Sequence, residues 1–193
     1  MKVFSKLYSY LFIGMCLIHT ANFQADSIAD IPNYLQYNNL FASSGQPNEI
    51  QLQLLADSGV QQIIYLAFTD NKTAIANEDR IVKSMGMDYA HIPVDFGKPT
   101  LEDFKAFAAI MEQPDKLNTL LHCQVNFRAS TFSFLYRVIF LNMPVEKAKQ
   151  ALDKVWEPNK VWFNYLKDTL NHYSINYSCK NCDWGIHDFT DNN

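Results

Sequence analysis

Thr119-Leu120-Leu121-His122-Cys123-Gln124-Val125-Asn126-Phe127-Arg128-Ala129-Ser130 is the stretch around which the rest of the chain is read. Thr119 to His122 is short and apolar and predicts a strand that delivers Cys123. Gln124 to Phe127 predicts a tight loop. A helix is expected to start near Arg128 and to continue through the apolar run Ala129 to Leu141. A strand, a tight loop and a helix N-terminus in this order aim several backbone N–H groups at one point, where the helix dipole also favours negative charge. An oxyanion fits that point, and the same field favours a thiolate at Cys123. His122 and Arg128 strengthen both effects. Asn126 suits a left-handed conformation where a glycine is otherwise used. A lone cysteine at a strand end is more often a small buried hydrophobe. Here the His-Cys pair, the arginine and the hydroxyl-bearing helix start occur together, which favours an anion site.

Outward from this stretch, apolar runs alternate with amphipathic ones. Pro47 to Ser58 reads as a helix stopped near Gly59, after a turn at Ser43-Ser44-Gly45-Gln46-Pro47. The run Ile63-Ile64-Tyr65-Leu66-Ala67-Phe68 suits a strand buried on both faces. Ala74 to Met85 predicts a helix and Tyr89 to Val94 a strand. Thr100 can cap a helix running to about Met111, with Asp103 in its first turn. Pro144 to Val155 and Asn159 to His172 are further helices. Strands alternating with helices predict an α/β fold with a mainly parallel sheet flanked by helices. The segment from Asp26 to Asn39 reads as a polar leader, and residues 174–193 as a loosely packed polar tail in which Cys179, Cys182 and Trp184 are the candidate anchors.

The chain of 193 residues fits one domain, with 48% hydrophobic and 14% aromatic residues to fill its core. Its formal charge is -4 and it has no Lys/Arg-rich run. Nucleic acid and an acidic membrane surface are therefore disfavoured as partners. Residues 1–25 are expected to be a secretory signal, with Lys2 and Lys6 ahead of the apolar run Leu7 to Ile18. The alternatives are an uncleaved membrane anchor and a lipoprotein modified at Cys16. Residues 26–173 then form the folded domain. Removing the signal leaves Cys123, Cys179 and Cys182. An odd number in an exported protein points to one pair and one free thiol, with Cys179 and Cys182 the candidate disulfide. Zinc is the weaker reading of Cys179 and Cys182, because His172 and His187 would have to fold back to complete a site.

The chain resembles the bacterial branch of dual-specificity-type, cysteine-dependent phosphatases, related to the phosphatase-like domains of beta-lactamase-hydrolase-like proteins. The resemblance spans about residues 34–170. It rests on Ser44-Gly45-Gln46-Pro47, His91-Ile92-Pro93-Val94-Asp95, His122-Cys123 with Arg128-Ala129-Ser130, and Val155-Trp156-Glu157-Pro158 with Val161-Trp162. It implies that Cys123 is a nucleophile forming a cysteinyl-phosphate. Arg128 and the backbone of His122, Gln124, Val125, Asn126 and Phe127 would bind the phosphoryl oxygens, and Asp95 would serve as general acid and then base. Ser130 would hydrogen-bond the thiolate, or simply cap its helix. Asp95 has the plainer alternative of a turn residue, and Asp103 is a weaker acid candidate. The resemblance also implies a bacterial source, no cofactor and no metal, and a phosphorylated substrate of unspecified class; export is expected from the N-terminal segment alone, and the periplasm follows if the source has two membranes.

One departure stands out. The general signature has five residues between Cys and Arg, and here there are four, while the Cys-to-Ser spacing is kept. One position on a helix start rotates a side chain by about 100°. The four-residue interval also resembles a rhodanese-type sulfurtransferase loop. A module that holds phosphate without turnover is the third alternative.

Overall fold

The computed structural model describes residues 26–185. A 3-10 turn, Ile28–Asp30, precedes a strand pair, β1 (Leu35–Asn38) and β2 (Phe41–Ser44). Then follow α1 (Glu49–Asp57), β3 (Gln62–Tyr65), α2 (Glu78–Ser84), β4 (Asp88–His91), α3 (Leu101–Met111), β5 (Thr119–His122) and three helices, α4 (Phe127–Ile139), α5 (Val145–Leu152) and α6 (Lys160–His172). The five strands lie in the order β1-β2-β5-β3-β4. The pairs β2·β5, β5·β3 and β3·β4 are parallel, and only the edge strand β1 is antiparallel. The sheet is mainly parallel, as its sequence pattern predicts.

The period of two along each strand divides the core. Ala42, Ile63 and Leu120 face one layer, where they meet Leu52 and Leu55 of α1 and Val82 of α2. Phe41, Ile64 and Leu121 face the other, where they meet Phe104 and Phe107 of α3, Phe132 and Leu135 of α4, Leu152 of α5 and Trp162 of α6. Helix α4 is buried along nearly its whole length, which explains why small residues, Ala129, Ser130 and Ser133, alternate with its aromatic ones. Trp162 is fully buried, and its indole N–H donates to the Phe96 carbonyl at 2.9 Å, tying α6 to the loop after β4.

Three elements differ from expectation. The segment read as a polar leader contains β1, and the stretch read as a turn at Ser43 and Ser44 is the end of β2. An edge strand has no need to be apolar, and β1 alternates half-buried and exposed positions. The serines of β2 are fully buried but satisfied: the Ser43 hydroxyl pairs with the Tyr37 hydroxyl at 2.7 Å, and Ser44 Oγ donates to the Gly45 carbonyl at 2.7 Å. Helix α2 begins at Glu78 rather than Ala74, with Asn77 in the left-handed region before it. After α6, Ile175, Tyr177 and Cys182 pack on the core and Trp184 is 5% exposed, edge-on to Phe134. The expected signal segment and the last eight residues of the tail lie outside the described residues.

Thr100 and Asp103 form a reciprocal cap on α3. Asp103 Oδ2 accepts from the Thr100 N–H at 2.8 Å and its hydroxyl at 2.7 Å, and Thr100 Oγ1 accepts from the Asp103 N–H at 3.2 Å. Asp103 is thereby accounted for as a helix-cap residue. Asp103→Ala is expected to lower stability by about 1 kcal/mol, as losing a cap does, measured by urea denaturation.

Candidate active site

The cysteine loop is built where the central strand ends. β5 is bonded to β2 on one side and β3 on the other, and all four of its residues are buried. These ladders fix the point at which Cys123 leaves the sheet. Beyond the strand, the Cys123 N–H donates to the Ser44 carbonyl at 3.2 Å and the Gln46 N–H to the Gln124 carbonyl at 3.1 Å, while Gly45 and Val125 form an isolated antiparallel bridge. Only glycine fits at position 45, because a Cβ there would stand 2.8 Å from Pro32 Cβ and 2.9 Å from the Gln124 carbonyl oxygen.

Asn126 turns the chain into α4 with φ 72° and ψ -1°, the left-handed conformation expected of it. Its side chain donates to the Asn33 carbonyl at 2.6 Å, and Asn33 donates back to the Val125 carbonyl at 3.0 Å. The loop is thus pinned by the chain just before β1. Its first helical turn carries Phe127, stacked at 4.4 Å on Trp156, and Arg128.

Arg128 is 4% exposed. Nη1 donates to the Val94 carbonyl at 2.9 Å and Nη2 to Gln124 Oε1 at 2.8 Å. The guanidinium lies 5.6 Å from the Phe96 ring centre, and its buried Nε–H has no hydrogen-bond partner. From its position four residues after Gln124, the side chain therefore reaches across the loop to the β4 exit. Asp95 follows Val94 directly, so Arg128 bonds the residue just before the expected acid. Asp95 itself is exposed, and its Oδ1 accepts from the Gly97 N–H at 2.7 Å.

Cys123 is 1% exposed and is free. Gln124 is half-buried, Val125 exposed, Asn126 buried. The Ser130 hydroxyl donates to the Phe127 carbonyl at 3.1 Å, a backbone bond within its own helix. Cys179 and Cys182 are paired, with Cα atoms 5.2 Å apart. They lie in the segment that leads to Trp184, whose ring meets the Lys149 ammonium at 4.9 Å.

Beneath the loop lies a buried polar cluster that sequence reasoning missed. His122 is fully buried, stacked at 4.6 Å on Tyr65, whose other ring neighbour is His91 at 5.2 Å. Burial pushes the His122 imidazole down to about 3, although the Cys123 backbone opposes this. Glu78 approaches it to 3.5 Å, and burial pushes the Glu78 carboxyl up to about 7, against hydrogen bonds from Gln46 and Tyr89. The pair is therefore not an ion pair near neutrality: the imidazole is uncharged on both sides of the Glu78 titration. His122 and Gln46 both lie in motifs quoted from the sequence, but nothing local ties Glu78 to them, because it resembles any other charge at a helix start.

The family described as a DSP-PTPase phosphatase fused to NAD+ kinase matches residues 18–159, and the chain belongs to it. The fold and the family define a phosphatase of the dual-specificity type. The DUF442 protein of Shewanella putrefaciens CN-32 is 34% identical and superposes with a TM-score of 0.70, over 76% of this chain and 96% of that one. At lower identity the likeness is one of fold. Tk-PTP in its active form gives a TM-score of 0.62 at 17% identity, over 72% and 97% of the two chains. Kinase associated phosphatase, solved with its catalytic-site cysteine replaced by serine, gives 0.61 at 15% identity over 69% and 87%. No curated protein matches.

The Glu78 carboxyl sets a slope in stability. In the folded chain it takes up its proton near pH 7 and in the unfolded chain near its ordinary 4.5. Between these values the folded state holds more protons, so this group's contribution weakens as pH rises from about 4.5 to about 7 and is flat above. Glu78→Gln removes the slope, so the variant gains on the wild type across that window by on the order of 2–3 kcal/mol. The opposite slope from His122 is present in both proteins and cancels. Urea denaturation at a series of pH values checks this.

Proposed function

We propose that the chain hydrolyses phosphate monoesters through a covalent cysteinyl-phosphate. The observation that supports this most is the union, at one end of a buried central strand, of Cys123, a left-handed turn at Asn126 and a helix N-terminus carrying a buried Arg128. In this reading the Cys123 thiolate attacks phosphorus and the bond to the leaving oxygen breaks. Asp95 gives that oxygen its proton. Water then attacks the same phosphorus, Asp95 takes a proton from it, and the P–S bond breaks to return the thiolate and release phosphate. Arg128 and the N–H groups of the loop hold the charge on the non-bridging oxygens.

The four-residue interval between Cys123 and Arg128 fits this role because the arginine anchors on Val94 and Gln124, so its guanidinium spans from the β4 exit to the loop itself. Its unpartnered Nε–H is a donor left over for an anion. The same two anchors favour a second reading, a site that binds phosphate without turning it over, since both terminal nitrogens already have acceptors. Sulfur transfer has no comparable support. The apolar N-terminal run supports export to the periplasm, and a paired Cys179 and Cys182 suit an oxidising compartment.

Hydrolysis of an aryl phosphate by the reduced protein is expected. Cys123→Ser should abolish it, and Asp95→Asn should lower kcat by about 100-fold or more with the fold intact. Asp103→Ala should keep wild-type kcat. Wild-type protein that binds phosphate yet shows no turnover would establish the second reading instead.

A further inference from the structure

A buried carboxyl behind the anion loop takes no part in the phosphatase steps above. Glu78 is the first residue of α2 and is 4% exposed. Its Oε1 accepts from Gln46 Nε2 at 2.5 Å and its Oε2 from the Tyr89 hydroxyl at 3.3 Å, while Oε1 also stands 3.5 Å from His122 Nε2. Burying a carboxyl is costly unless its neighbours compensate, so its placement requires an explanation.

The two neighbours carry the loop. His122 immediately precedes Cys123 on β5. Gln46 belongs to the segment that runs beside the loop, where its own N–H bonds the Gln124 carbonyl. Glu78 is the group that reaches both chains from behind. No side chain among the described residues hydrogen-bonds Gln46 Oε1 or either His122 ring nitrogen, so none competes with Glu78 for the imidazole.

We propose that Glu78 is a positioning residue of this site: it holds His122 and Gln46 against each other, so fixing the cysteine loop, and its charge state is felt by an anion bound in front of Cys123. The proposal rests on the reading of Cys123 and Arg128 as an anion site. In its neutral form Glu78 donates its O–H to His122 Nε2, and in its ionised form it accepts from that nitrogen, so each form selects one imidazole tautomer.

The groups facing the carboxyl are Gln46 from the segment after β2, Tyr65 from β3, Tyr89 from β4 and His122 from β5, with Asp79 beside it on α2. None of these is a cation at neutral pH. Tyr65 in turn feels the charges of Cys123 and Arg128, which places the two sides of the loop within electrostatic range of each other. Burial sets the Glu78 titration near pH 7. Above that pH a negative charge stands behind the loop and opposes a second one in front, so anion binding weakens as pH rises through 7.

The full-length chain tests this through alkylation of Cys123 by iodoacetamide, followed on the Cys123 peptide by mass spectrometry. Inorganic sulfate serves as the protecting anion because its charge is constant over the range from about pH 5.5 to about 8.5. Sulfate protection of the wild type should weaken through an inflection near pH 7. In Glu78→Gln the inflection should vanish, leaving protection about threefold stronger at about pH 8. In Glu78→Ala, shown folded by circular dichroism, the inflection should vanish too, and protection should be about tenfold weaker than in Glu78→Gln at every pH because His122 and Gln46 lose their shared partner. An inflection that persists in Glu78→Gln, or a folded Glu78→Ala that sulfate protects as well as Glu78→Gln, overturns the proposal. If Glu78→Ala does not fold, Glu78→Gln alone decides. Absence of turnover with the Glu78-dependent inflection intact counts against the phosphatase mechanism and supports the positioning role. Failure of sulfate to protect the wild type at any pH overturns both.

Discussion

The hydrogen bonding of β5 on both of its edges is the constraint on which the molecule depends. A central parallel strand cannot slide without breaking two ladders at once, so the residue that follows it has one position. Cys123 is that residue. The helix that follows, α4, packs against β2, β5, α5 and α6, and the two fixed elements leave the loop between them little freedom. The segment Ser44-Gly45-Gln46 continues β2 alongside this loop and lends it backbone partners, which is why a glycine is required at the point of closest approach.

Around this frame the chain buries several groups that prefer water, and each has a distinct compensation. Arg128 has two protein acceptors from different elements. Arg137, one helical face away, donates to the Ser133 and Ala148 carbonyls and lies over the Tyr37 ring at 4.2 Å. That side chain joins α4, α5 and the edge strand, a structural task at the other end of α4 from the cysteine loop. Glu78 and His122 instead give up charge: one is pushed up and the other down by the same cause, loss of solvent. The result is an electrically quiet floor at mildly acid pH beneath the loop that carries Cys123.

The elements nearest the cysteine were the most legible in the sequence. The strand Thr119–His122, the left-handed Asn126 and the cap by Thr100 all follow from local chemistry: an apolar run, a side chain that tolerates positive φ, a hydroxyl ahead of a helix. The strand pair β1 and β2 was not legible, because an edge strand is only half-buried and the buried serines of β2 are satisfied by partners that the local pattern does not reveal. Ser130 illustrates the opposite limit. Its type and spacing match a thiolate partner, yet its hydroxyl is bonded to the backbone of its own helix.

By itself the sequence determined the alternation of elements, and with it an α/β sheet, together with the strand, turn and helix start around Cys123, since such preferences act over a few neighbouring positions. Only the tertiary structure decided how Arg128 is held and that Glu78 lies beneath the loop. Both depend on buried side chains that find partners in segments more than 30 residues away, Arg128 the Val94 carbonyl and Glu78 the Gln46 amide, and no local preference records which distant partner a buried charge will find.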